Sequence, residues 1–304
     1  MTFEKIVIGM DFSDTAIKAA TWASAHFAPN AGLTLVYVFD PPDQPPFGRH
    51  LLPSPAVVEA EAREYAATRL HEVATFLSPE EPRCEIRVGK PHEEIVKVAR
   101  EIAADLIVIG PHGDRPRPSR FLGTTAERIV RTSPVPILVA TNPPVGRPRN
   151  ILVPVGDLAI TPTLLDVARD LAVDFDADVT LLHVWSNAVY SHVASVSYAA
   201  KPNEADAQAD IATELHDAGL QWLREIARTG INRERVTAIV THGNAGDETL
   251  RTAKSMHADL VVLGRRGTDL VAPALLGSTV GTVLHGSSYP VLVVTESADA
   301  SAAR

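Results

Sequence analysis

The chain has 304 residues, 45% hydrophobic and 21% charged, enough for about two packed domains and too apolar for a disordered chain. Its 28 basic and 37 acidic side chains leave a net charge of −9, which opposes nonspecific binding to nucleic acid or anionic membranes. A single cysteine, Cys84, excludes an intramolecular disulfide, and neither a signal region nor an apolar run of about eighteen residues is present, so the sequence reads as a soluble cytoplasmic protein.

The first predicted strand is Ile6–Met10, followed by "SDTAIKAATWASAHF", where Ile17, Ala20, Ala23 or Ser24, and Phe27 share a helical face and Ser13 is the N-cap. A second strand, Leu33–Val38, leads into "PPDQPPFGRHLLPSP", read as a surface loop, with a polyproline partner-binding role as the weaker alternative. A helix spans roughly Ala56–Leu77. Cys84 falls on the third strand and is expected to be a small buried residue rather than a reactive thiol. The segment "PHEEIVKVAREIA" opens a helix on Pro91, places Glu93 and Glu94 at its positive end and buries Ile95, Val98 and Ile102. Strand Leu106–Ile109, the helix in "GTTAERIVR" and strand Pro136–Val139 complete the half. The strands are short, rich in Val, Ile and Leu, and apolar on both faces, as a parallel sheet covered by helices requires.

The same succession then recurs. "KIVIGMDFSDTAIKAATWASAHF" matches "NILVPVGDLAITPTLLDVARDLA", "LTLVYVFD" matches "VTLLHVWS", and "SPVPILVAT" matches "SYPVLVVTE". The fold class is therefore α/β, with two tandem doubly wound five-stranded parallel-sheet domains, residues 1–142 and 149–297, joined across "TNPPVGRPR". Each half also keeps one glycine frame at a strand end: Gly110-x2-Gly113-x9-Gly123-Thr124, and Gly264-x2-Gly267-x9-Gly277-Ser278. Ligands of such folds bind beyond the C-terminal strand ends, where the winding reverses. Gly110 and Gly113 there allow close backbone approach and positive φ. Gly123, Thr124 and Thr125 offer backbone N–H groups at a helix N-terminus, a seat for phosphate.

With "IVIGMDFSDTA" at the start and "VGKPHEEI" before the third helix, the doubled frame resembles the universal stress protein family, ATP-binding type, over nearly the whole chain. The resemblance implies a Rossmann-like fold of the adenine nucleotide alpha hydrolase-like (HUP) type. It also implies two halves related by a pseudo-twofold axis, so that one chain imitates a dimer through Val135–Val139 and Val291–Val294; the full chain is also expected to form a homodimer. It implies that ATP, with Mg²⁺ as a companion ion, is held by Gly9, Met10 and Asp11 after strand one, by Val38 after strand two, and by Gly110, Gly113, Gly123, Thr124 and Thr125. The second-half matches are Pro154, Val155, Val184, Gly264, Gly267, Gly277, Ser278 and Thr279. That half departs at one point. Asp11 aligns with Gly156, and Asp157 lies one residue late, so the first half is the better candidate.

Each residue also has a plainer reading. Asp11 could cap the following helix, but the glycine frame favours a ribose contact. His112 reads as an exposed loop residue and His183 as a satisfied core or edge histidine. Arg115, Arg117, Arg120, Arg265 and Arg266 read equally as phosphate partners or solvated charges. Histidines without metal-ligand spacing predict no zinc site. No G-x4-GK[ST] loop, G-x-S-x-G elbow or kinase signature set is present. The leading expectation is a nucleotide-dependent stress-response regulator, not an enzyme, acting through an unidentified protein partner and binding neither nucleic acid nor membrane. The alternatives are a slow ATPase, with Asp114 or His112 positioning water, and a nucleotide-free interaction module.

Overall fold

The apolar runs of the first half form β1 (Lys5–Met10), β2 (Gly32–Phe39), β3 (Arg83–Val88), β4 (Leu106–Ile109) and β5 (Ile137–Val139). All pair in parallel, in the order β3-β2-β1-β4-β5, with Ile6 opposite both Leu33 and Leu106. Between them run α1 (Asp14–His26), α2 (Pro55–Leu77), α3 (Pro91–Glu101) and α4 (Thr124–Thr132). The second half repeats the plan with β6 (Asn150–Pro154), β7 (Asp178–Trp185), β8 (Val236–His242), β9 (Leu260–Arg265) and β10 (Val291–Thr295), ordered β8-β7-β6-β9-β10. Its helices are α5 (Thr161–Phe175), α6 (Glu204–Ala227), α7 (Ala245–Ser255) and α8 (Ser278–Gly286). The structure is a computed structural model and describes residues 3–27, 31–41, 54–77, 82–113, 122–156, 160–186, 204–228, 235–265 and 277–295. These divide into two compact units at the Gly146–Arg147 bond.

Each unit has its own core. In the first, Ile6, Val7, Ile8, Leu35, Leu106, Ile107, Ile137 and Leu138 have no exposed surface; in the second the same holds for Ile151, Leu152, Leu181, Leu260, Val261 and Leu292. Burying a side chain of this size contributes about 1.5–3 kcal/mol. Strands covered on both faces explain why these runs do not alternate with polar residues. Ser13 caps α1 by accepting from the Ala16 N–H at 3.2 Å, and Pro91 sits in the first turn of α3, as their residue types predict.

Three expected burials need correction: Ile17 on α1 and Ile102 at the end of α3 are half-buried, and Cys84 is exposed. The buried stripe of α1 is Ala16, Ala19, Ala20, Ala23 and Phe27, with Trp22 buried beside it, while Ile17 is only half-buried. The helix lies close to the sheet through its alanines: Ala20 and Ala23 are on the expected face, and Ala16 and Ala19 take the place expected for Ile17. Cys84 is on β3 but exposed, because β3 is the outermost strand of its unit's order and carries no buried residue. Most of the proline-rich loop, residues 42–53, lies outside the described residues.

In both units the first strand lies between the second and fourth, so successive crossovers leave in opposite directions. A crevice is expected at such a reversal, at the C-terminal ends of the strands.

Candidate functional site

The crevice of the first unit is a cleft of about 480 Å³. All nine first-half residues singled out from the sequence line it: Gly9, Met10, Asp11, Val38, Gly110, Gly113, Gly123, Thr124 and Thr125. So do His112, which the slow-ATPase alternative placed there, and Asp40, Pro91, Ile95 and Pro111, which sequence reasoning did not assign to it. Pro91 and Ile95 were within sight, since both belong to the quoted "VGKPHEEI" and its helix.

Asp11 is fixed by its own loop. Its Oδ1 accepts from the Ser13 N–H at 3.0 Å and from the Ser13 hydroxyl at 2.5 Å. The next residue, Phe12, has φ 64°, in the left-handed region that costs a non-glycine residue about 1–3 kcal/mol. Its ring stacks on Tyr37 at 5.0 Å, meets Tyr65 edge-on at 5.8 Å and lies under the Arg69 guanidinium at 5.7 Å. Aromatic pairs of this kind contribute about 0.5–1.5 kcal/mol each, enough to offset the turn. Phe12 thus packs on Tyr37 while Asp11 lines the cleft. Burial first, then Tyr65 and the Asp11 carboxylate, push the Tyr37 hydroxyl above its ordinary pKa.

The glycines serve space, not unusual dihedrals. Among the described residues the only glycines with positive φ are Gly89 and Gly243, so the expectation of positive φ at Gly110 and Gly113 is corrected. A methyl on Gly113 would lie 2.6 Å from Asp11 Oδ2; one on Gly110 would lie 3.0 Å from the Ala16 backbone nitrogen. A methyl on Gly9 would crowd Ile95 and Ile109 at 3.0 and 3.1 Å.

The loop closes on itself: the Gly123 N–H donates to the Pro111 carbonyl at 2.7 Å, and His112 Nδ1 lies 3.0 Å from the Gly113 carbonyl. The Gly123 N–H is therefore committed inside the loop, and the expected donor set shifts by one residue. Thr124, Thr125 and Ala126 open α4, where no carbonyl four residues earlier belongs to the helix, and all three line the cleft. Among the described residues no lysine or arginine lines it. Asp114, Arg115, Arg117 and Arg120 lie outside the described residues. His112 is half-buried rather than exposed.

The second unit's crevice is smaller, about 220 Å³. Pro154, Val155, Val184, Gly264 and Thr279 line it; Gly277 and Ser278 do not, and Gly267, Asp157 and Arg266 lie outside the described residues. Gly156 stands where the first unit has Asp11, and Ile160 where it has Thr15. Ile160 is buried against Gly264, whose added methyl would lie 2.9 Å from its Cγ atoms. With Leu164, Leu182, Leu263 and Val280, it leaves the second cleft largely apolar. Arg265 is buried at the end of β9, burial lowers its guanidinium pKa, and it does not line the cleft. His183 is half-buried on β7: its Nδ1 is 2.9 Å from the Val155 carbonyl, and Trp185 and Trp222 meet its ring at 4.8 and 4.9 Å.

The geometry invites comparison with known proteins. A universal stress protein of Mycobacterium tuberculosis, Rv2005c, is 24% identical over 306 residues, covering 96% of this chain and 97% of the relative. A universal stress protein of Thermus aquaticus is 33% identical over 142 residues, which is 45% of this chain and 98% of that one. The crystal structure of a universal stress protein from Archaeoglobus fulgidus shares the fold over 97% of both chains, with a TM-score of 0.68 and 19% identity. No helix among the described residues is long and apolar enough to cross a membrane. The model of the universal stress protein family matches twice, over residues 2–141 and 148–295, and the chain belongs to that family.

Proposed function

We propose that the first unit binds ATP and that the protein is a nucleotide-dependent regulator of a stress response, acting through a protein partner. One observation supports this above the rest: Asp11, held by Ser13, stands over Gly113 in a cleft that also contains the N-terminus of α4. A fixed carboxylate suits the two hydroxyls of a ribose, and a helix N-terminus suits phosphate. Val38, Pro91, Ile95 and Met10 supply apolar surface for a base. The volume of about 480 Å³ lies within the range of roughly 300–1,000 Å³ usual for small-molecule sites, whereas about 220 Å³ in the second unit lies below it.

Asp11 and Asp40 line the cleft and no described cation does, so the charge of a triphosphate calls for a companion ion such as Mg²⁺. The chain lacks a P-loop lysine, so holding ATP fits its residues better than cleaving it fast. The test is mass spectrometry of the small molecules released when purified protein is denatured, followed by a thermal shift of the stripped protein. ATP at a hundred times its Kd is expected to stabilise the fold by about 2.7 kcal/mol. Protein that releases no nucleotide and shows no shift at millimolar ATP would refute the reading.

A further inference from the structure

We infer that Thr15 is a positioning residue for the phosphate part of the site, an inference that rests on the nucleotide reading above. Thr15 is the second residue of α1, yet its side chain reaches into the glycine loop: its hydroxyl donates to the His112 carbonyl. A hydroxyl has one proton. The Ser13 proton goes to Asp11 Oδ1 and the Thr15 proton to His112, so the 3.1 Å contact between the two hydroxyl oxygens is a contact without a shared proton. The two hydroxyls therefore divide the work. Ser13 holds the carboxylate, and Thr15 holds the carbonyl of the peptide that leads into Gly113.

The loop makes room for this. Gly110 has no side chain, and a methyl there would lie 3.1 Å from both the Thr15 carbonyl carbon and Thr15 Oγ1. Fixing the His112 carbonyl also fixes the N–H of Gly113, the other end of the same planar peptide. That N–H belongs to a residue lining the cleft beside the α4 N-terminus. Preorganised backbone donors spare a bound anion the cost of ordering them. The second unit offers the contrast: Ile160 occupies the matching position, packs on Gly264 and has no hydroxyl to give.

A clamp on the phosphate loop has a signature that a fold-stabilising contact lacks: it acts on ATP and not on adenosine. Thr15→Val, nearly the same shape without the hydroxyl, is expected to lower ATP affinity about three- to tenfold, the range of one lost hydrogen bond. Adenosine affinity, measured by the same calorimetric titration, is expected to change less than about twofold. Thr15→Ser, which keeps the hydroxyl, is expected to restore ATP affinity, and Thr15→Ala, which demands no repacking, to repeat the split seen for valine. Equal losses for ATP and adenosine, or none for either, would overturn the inference while leaving nucleotide binding intact. Wild-type protein that binds neither ligand would overturn the nucleotide reading itself, and the clamp with it.

Discussion

The two clefts occupy the same place in the same strand order, beside the same glycine frame, and differ in the residues that follow the first strand. Where the first unit reads Asp11, Ser13 and Thr15, the second reads Gly156, Leu158 and Ile160. The first set ties a carboxylate and a glycine loop together with hydrogen bonds; in the second, Ile160 fills space against Gly264. The cores of the two units are alike in kind, because Val, Ile and Leu on covered strands suffice for the sheet. If the first unit alone binds nucleotide, as proposed, the glycine frame by itself does not make a site. A glycine leaves room, and whether a ligand or an isoleucine takes that room is decided by the loop opposite.

The sharpest way to break this comparison is to fill the room on each side. Gly113→Ala puts a methyl 2.6 Å from Asp11 Oδ2, so either the carboxylate or the loop must move. ATP affinity is expected to fall by about a hundredfold or more, the loss of more than one charge-assisted contact, in protein that still folds. Calorimetric titration of the variant, with circular dichroism as the check on folding, reads this directly, and an affinity within a few-fold of wild type would show that Asp11 does not work from where it stands.

The mirror substitution sharpens the contrast. Gly264→Ala meets the Ile160 side chain at 2.9 Å, a crowding cost of about 1–3 kcal/mol in stability. Its nucleotide content is expected to match wild type. A urea titration and the mass of released nucleotide check the two halves of that statement, and nucleotide loss from this variant would give the second cleft a role denied to it above.

The smallest expected effect concerns pH. His92, at the start of α3, is held below its ordinary pKa by burial first and then by the Arg128 charge. Because the folded state disfavours the proton, the unfolded chain takes it up first as pH falls. The stability tied to neutral His92 is present above about 6.5 and is lost as pH drops below that value. The second unit has Gly246 at this position and cannot share the effect. His92→Gln is expected to flatten the decline in urea midpoint between pH 7.5 and 5.5, and an unchanged slope would show that other groups set it.

Much of the fold was legible in the sequence because parallel strands announce themselves as apolar runs and helices by their caps, and Ser13 and Pro91 do what their types suggest. That the nine first-half residues share one cleft was legible because the glycine spacing sets them at the C-terminal ends of neighbouring strands. What escaped depends on three dimensions. The burial of Ala16 and Ala19 on α1 in place of Ile17 depends on how closely the helix approaches the sheet, and the exposure of Cys84 follows from where β3 falls in the strand order. The committed N–H of Gly123 and the reach of Thr15 to His112 join segments far apart in sequence, which no local pattern encodes. The replacement of Ser13 and Thr15 by Leu158 and Ile160 was readable from the alignment that exposed Gly156, since all three fall at alternate positions of one stretch of sequence.

The measurement that bears most directly on the central claim is the stoichiometry of ATP binding to the intact, nucleotide-stripped chain by calorimetric titration. About one ATP per chain is expected, with affinity reduced about ten- to a hundredfold in Asp11→Asn, which keeps the turn with Ser13 but offers the ribose a donor in place of an acceptor. Two equivalent sites per chain, or an affinity indifferent to Asp11→Asn, would contradict the account.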